Sequence, residues 1–127
     1  MHDERGASVS TFFAMAFPAL LLICGLAVDG AAQANAHRTA EVVAAQAARA
    51  GADAAAPVRL SGGDGVSVAL DAARASLDAS GVAGTVSVDA AGRLHVTTTT
   101  SARTTFLQLI GIDALHAGGE ASAQLRG

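Results

Sequence analysis

Site chemistry needs polar or ionisable side chains gathered at set spacings, and this sequence offers few. The histidines His2, His37, His95 and His116 are scattered, and no His-x-x-x-His or His-Glu-x-x-His spacing for a metal occurs. Cys24 is the single cysteine, which excludes an internal disulfide and a cysteine-based zinc site. Gly62-Gly63-Asp64-Gly65 lacks both the Gly-Lys-Ser/Thr of a phosphate loop and the spaced third glycine of a dinucleotide fingerprint, so it is expected to be a flexible turn. Gly65-Val66-Ser67-Val68-Ala69 departs from the nucleophile-elbow pattern at its last position. Asp71 and Asp78 suit a solvated helix face, while Thr97–Thr100, Thr104 and Thr105 suit a strand with no base beside them. No catalytic residue, cofactor or metal site is expected. An enzyme using Ser67, His95 or His116 is the weakest of three functional readings.

Composition narrows the classes further. The 127 residues include 32 Ala, 14 Gly, four Phe and no Trp, Tyr or Lys, and the net charge is −3. Nucleic-acid binding wants a basic stripe and stacking aromatics, and neither is present. The hydrophobic fraction of 51% is too high for general disorder. Few large side chains remain to build a core, so the elements that would position any site must pack through small residues.

The strongest local signal is Gly6–Val28, 23 residues without a charge. Helical, these would extend roughly 34 Å, enough for a hydrocarbon layer of about 30 Å. The expected span is carried by Phe12, Phe13, Phe17, Leu20, Leu21, Leu22, Ile23, Leu26 and Val28, with Pro18 and Gly25 tolerated inside it. Those nine large apolar residues contribute roughly −3 to −5 kcal/mol on the insertion scale. His2-Asp3-Glu4-Arg5 and Asp29 bracket the segment. Arg5 and the α-amino group before it, against Asp29 after it, orient the N-terminus inside and the remainder outside. The rival readings are a cleaved signal peptide, with Ala32-Gln33-Ala34 or Ala34-Asn35-Ala36 as the small-x-small site, and a buried core helix.

Asp29–Ala56, with 14 Ala, is helical on propensity and would extend the apolar helix into a rod of roughly 70 Å from Val9. Arg38–Glu41 and Arg49–Asp53 have spacings that let each pair meet on its surface. So small-faced a rod is expected to pack poorly on its own small domain; it would either pack on other helices or stand as a solvated stalk. Pro57 is expected to end it, dividing the chain into 1–56 and 57–127, with Val58–Gly65 a short strand and turn or a loop. Val66–Ser80 shows a near-helical apolar period in Val66, Val68, Ala69, Leu70, Ala73 and Leu77, with Asp64 as N-cap and Gly81 as stop. A hairpin follows, with Val82–Val88 and Arg93–Thr100 as strands around Asp89-Ala90-Ala91-Gly92, and Leu94, Val96, Thr98 and Thr100 on one face. Thr104–Ile112 suits a helical turn or two. Gly119, Ala121, Ala123 and Leu125, alternating with Glu120, Ser122, Gln124 and Arg126, suit a closing strand. The expected fold class is α+β: a long N-terminal helix, then a small unit of one helix and an antiparallel sheet of about three to four strands.

Arg5-Gly6, Ser8-Val9, Phe13-Ala14, Pro18, the leucine run, Gly25, Asp29-Gly30 and the Arg-containing alanine-rich helix follow one another in a characteristic order. With the C-terminal "VTTTTSARTTFLQLIGIDALHAGGEASAQL", the chain resembles, over nearly its whole length, the TadE/TadG-like proteins of tight-adherence (Flp-type) pilus systems, in their actinobacterial form. The resemblance implies a pilin-like fold and a non-enzymatic pseudopilin, minor pilin or pilus assembly factor. It also implies a single-pass anchor in the cytoplasmic membrane with the small domain outside or at the cell surface. Its partners would be membrane lipid and, through the N-terminal helix, other pilin-like subunits or the assembly machinery. Prepilin-type processing would fall between Gly6 and Ala7. Where relatives carry a Glu just before the Phe-Ala pair, this chain has Phe12. The alternative function is a soluble secreted binding module, released by signal peptidase near residues 34–36.

Overall fold

The computed structural model describes residues 3–125; His2 and Arg126, named above, lie outside them. The chain is α+β: helix α1 (Asp3–Leu60), helix α2 (Val66–Ser80), strands β1 (Ala83–Val88) and β2 (Arg93–Arg103), a 3-10 turn η1 (Leu107–Ile110) and strand β3 (Ala114–Gln124). The three strands form one antiparallel sheet in the order β1-β2-β3. Both helices cover one face of this sheet, α1 beneath β2 and β3 and α2 against α1 and β1.

The 58 residues of α1 rise about 87 Å, longer than the small domain needs. Pro57 does not end this helix. Proline's φ of about −65° is itself helical, and what it removes is its own N–H bond to the turn before it, so the residues after it continue the helix to Leu60. The stop is Gly62, at φ 90°, whose N–H bonds to the Arg59 carbonyl at 3.0 Å while the Gly63 N–H reaches the Val58 carbonyl at 2.8 Å. That pair of bonds is the glycine-terminated Schellman arrangement. The expected loop from Val58 is therefore helical as far as Leu60. Helix α2 begins at Gly65 rather than Asp64 as its N-cap, and it ends on left-handed Gly81 as the sequence predicts. Ala69, Ala73 and Leu77 form its buried stripe, while Val68 is exposed. Asp71 faces solvent, where it meets Arg74 at 4.0 Å.

The alanine-rich half of α1 packs on its own domain, against the expectation of poor packing there. Ala40, Val43, Ala44, Ala47, Ala48 and Ala55 are buried, recurring at three- and four-residue steps on one face. With Ala69, Ala73, Leu77, Leu94, Val96 and Leu125, most of these form the hydrophobic core. Short side chains let the sheet come very close. At Gly119 of β3 an added Cβ would collide with the backbone of Ala40 and Glu41, so only glycine fits this contact.

Strand β2 runs down α1 in step with it. The Thr98 hydroxyl donates to the Ala40 carbonyl at 2.6 Å, and the Thr100 hydroxyl donates to the Ala36 carbonyl at 2.8 Å. Two residues of strand advance about 6.6 Å and four residues of helix about 6.0 Å, so the two hydroxyls meet successive helical turns. Glu41 meets His37, Nε2 to Oε1 at 3.2 Å, one turn before it on the exposed side of the helix.

Replacing Gly119 by Val forces backbone apart where no side chain can yield, and the expected loss is about 1–3 kcal/mol of stability. Thr98→Val keeps the shape and removes one buried donor, with an expected loss of about 1 kcal/mol. Thermal unfolding of the full chain in detergent micelles measures both. A Gly119→Val protein as stable as the parent would show that the sheet does not depend on this contact.

Candidate functional site

The side chains that could carry chemistry are not gathered among the described residues. His95, on the open face of β2, is held by the Asp89 carboxylate at 2.9 Å, and the same carboxylate accepts the Arg93 N–H at 2.9 Å. These bonds, that to His95 first, hold the Asp89 carboxyl below its ordinary value. Ser87 and Ser122 are the register partners of His95 on either side. This face is flat and solvated, and the described residues give neither serine a hydrogen bond to the imidazole. Ser67 lies on exposed α2 surface and His116 on the exposed face of β3. Among the described residues no three His, Cys, Asp or Glu side chains are grouped to hold a metal ion.

What the structure does bring together is the apolar half of α1 and the base of the domain. Gly6 and Ala7 lie within α1, exposed, with nothing near Gly6. Phe12, Phe13, Phe17, Leu20, Leu21, Leu22, Ile23, Leu26 and Val28 are all exposed, from 51% at Val28 to 69% at Leu22, and Pro18 is exposed with them. They point in every direction around the helix. This is the one helix among the described residues that is long and apolar enough to cross a membrane. A core helix of comparable hydrophobicity would bury these side chains, and here almost none is covered.

The covered positions at the end of this segment are Gly25 and Asp29. Asp29 is 1% exposed. Its Oδ1 accepts the Thr105 N–H at 2.8 Å, its Oδ2 accepts the Leu107 N–H at 2.8 Å, and the Phe106 N–H points between them, 3.1 Å from Oδ2. Three amides that open the η1 turn, and that no neighbouring side chain caps, are satisfied by a carboxylate 76 to 78 residues away. Phe106 packs directly over Gly25, where a Cβ would come within 2.5 Å of the ring. The sequence marks Asp29 only as the charge closing the apolar run. Its bonding role has no local signal, because the partners are backbone amides. An Asp one helical turn after a Gly, opposite an uncharged Thr-Thr-Phe-Leu stretch, was the only available hint.

The bond from Thr105, then those from Leu107 and Phe106, hold the Asp29 carboxyl below its ordinary value, while burial opposes them. Comparison with known proteins finds no matching family model, no matching curated protein and no matching solved structure.

A carboxyl with a lowered folded pKa binds protons more weakly in the folded than in the unfolded chain. Its stabilisation is therefore complete above the unfolded value near 4, and it is lost as pH falls through the folded value. Asp29→Asn is expected to flatten this acid limb of stability against pH, with Asp89 still contributing its own part. Hydrogen exchange at Thr105, Phe106 and Leu107 is expected to accelerate in Asp29→Ala while amides of β2 stay protected. Unchanged exchange at those three amides would remove Asp29 from the role assigned to it.

Proposed function

We propose that the chain is a non-enzymatic, single-pass membrane-anchored subunit of pilin-like type: a pseudopilin, minor pilin or assembly factor of a Tad/Flp-type pilus. The observation that carries this reading is one uninterrupted helix with two unlike halves. Its N-terminal half is apolar and exposed all round, and its C-terminal half is the spine of a small domain. The exposed half suits lipid, or the helices of other subunits, better than water. The domain carries no gathered reactive groups among the described residues, which suits structural work better than catalysis. The flanking charges favour a cytoplasmic N-terminus and a domain outside the cytoplasmic membrane. Other subunits would engage through the apolar helix.

Release by signal peptidase near residues 34–36 has less support. Such a cut would fall inside a continuous helix and would separate Asp29 from the three amides it binds. Processing between Gly6 and Ala7 leaves all of these contacts in place.

Leu21→Arg puts a charge near mid-span, at a cost of about 2.5–3.5 kcal/mol on the insertion scale. The expected outcome is loss of the protein from the washed membrane fraction, while the parent chain stays there and in sheared surface material with Phe12–Val28 intact by mass. Unchanged membrane retention of the Leu21→Arg chain, or a native supernatant form starting near Asn35, would overturn the anchored reading.

A further inference from the structure

The base of the domain is apolar where it meets the apolar helix. Between Arg103 and Asp113, both exposed, the chain from Thr104 to Ile112 carries no charge. Its large side chains are turned outward: Leu109 is 80% exposed and Ile110 73%, with Phe106 and Ile112 less so. The described residues leave Leu109 and Ile110 largely uncovered. The packing of Phe106 on Gly25 fixes their height along α1. The middle of Gly6–Val28 is Phe17, and Gly25 follows it by eight residues, about 12 Å of helix. The hydrocarbon half-thickness is about 15 Å. If α1 spans the membrane as proposed above, the ring of Phe106 lies at the boundary between acyl chains and headgroups.

A loop can enter that boundary only if its backbone polar groups are satisfied within the protein. Here they largely are. Asp29 takes the amides of Thr105, Phe106 and Leu107; Leu109, Gly111 and Ile112 donate to carbonyls of the same turn, and Thr104 donates to Asp113. The Thr104 hydroxyl is spent on the Ile112 carbonyl.

We infer that the loop Thr104–Ile112 is a second membrane contact, inserting Leu109, Ile110 and Ile112 into the headgroup–acyl boundary of the outer leaflet beside the transmembrane helix. The inference rests on the anchored reading of α1. Lipid is the favoured occupant because the apolar loop is continuous with the apolar helix surface through the Phe106–Gly25 contact. Arg103 and Asp113, at either end of the loop, are placed for the headgroup layer. The molecule would then be held to the bilayer at two places, which restricts the tilt and rotation of the helix and its domain as one body.

The test uses the full chain reconstituted in vesicles of phosphatidylcholine and phosphatidylglycerol, with an environment-sensitive fluorophore at one cysteine at a time. Native Cys24, exposed on α1, reports the helix. In a Cys24→Ala background, Leu109→Cys and, separately, Ile110→Cys report the loop. Ala91→Cys reports the hairpin at the far end of the sheet; Leu94, three residues on, packs by Gly51, about 39 Å along α1 from Gly25. The expected result is loss of most emission at 24, 109 and 110 to a nitroxide carried high on the lipid acyl chain, with Ala91→Cys quenched only by aqueous iodide. Iodide quenching at 109 and 110 equal to that at 91, with 24 still quenched by lipid, would overturn the loop contact and leave the anchor standing. Loss of lipid quenching at 24 would overturn the anchored reading and the loop contact with it. Protection at 109 from both quenchers, with crosslinking between copies, would assign the surface to a second chain and overturn the lipid assignment.

Discussion

The close approach of α1 to the sheet is the constraint on which the rest of the molecule depends. A domain this poor in large side chains cannot fill a wide gap between helix and sheet. Among the described residues the largest side chains that are fully buried are only Leu94, Leu125, Val96, Thr98 and Asp29. The layers must therefore nearly touch. Alanine along one stripe of α1 and glycine at position 119 of β3 make this possible. Dispersion between closely packed backbones then replaces part of what bulky residues supply in other cores. The threonine hydroxyls that reach helix carbonyls from β2 work only at this separation, and they turn a non-specific contact into one register.

That register has a consequence at the other end of the strand. Because β2 descends α1 in step, the chain after Arg103 arrives beside Gly25 and Asp29. Leu94 lies by Gly51, Thr98 by Ala40, Thr100 by Ala36, and the amides of Thr105–Leu107 by Asp29. The alanine-faced half of the helix thus sets where the domain ends, and that end falls at the limit of the apolar half. An apolar segment and a folded domain joined by a flexible linker could swivel freely. Here they share one helix, and a buried carboxylate closes the junction.

Much of the fold was legible along the chain. The hairpin around Asp89–Gly92, the buried face of Leu94, Val96 and Thr98, the helix Val66–Ser80 and the glycine stop at 81 follow from periodicity and turn chemistry. Pro57 does not mark the end of α1, because its fixed φ is helical and it removes only its own bond to the turn before it, leaving the following residues free to continue. Gly62, free to adopt positive φ, terminates it instead. The burial stripe of α1 was also hidden. Alanine occupies both buried positions such as Ala44 and exposed ones such as Ala45, so hydropathy has no contrast along this helix.

The sequence alone determined that this chain has one long apolar helical segment near its N-terminus, that it is α+β, and that its small domain is built from small residues. These are properties of composition and local period, carried by each residue independently of its distant neighbours. Only the tertiary structure decided that the alanine helix is the core of its own domain, that Asp29 binds the loop opposite it, and that the apolar face of that loop sits level with the end of the apolar helix. The contacts that fix them join residues 58 to 81 positions apart, and each hydrogen bond among them uses a backbone group. Backbone amides and carbonyls are the same in every residue, so no side-chain pattern announces which of them will meet.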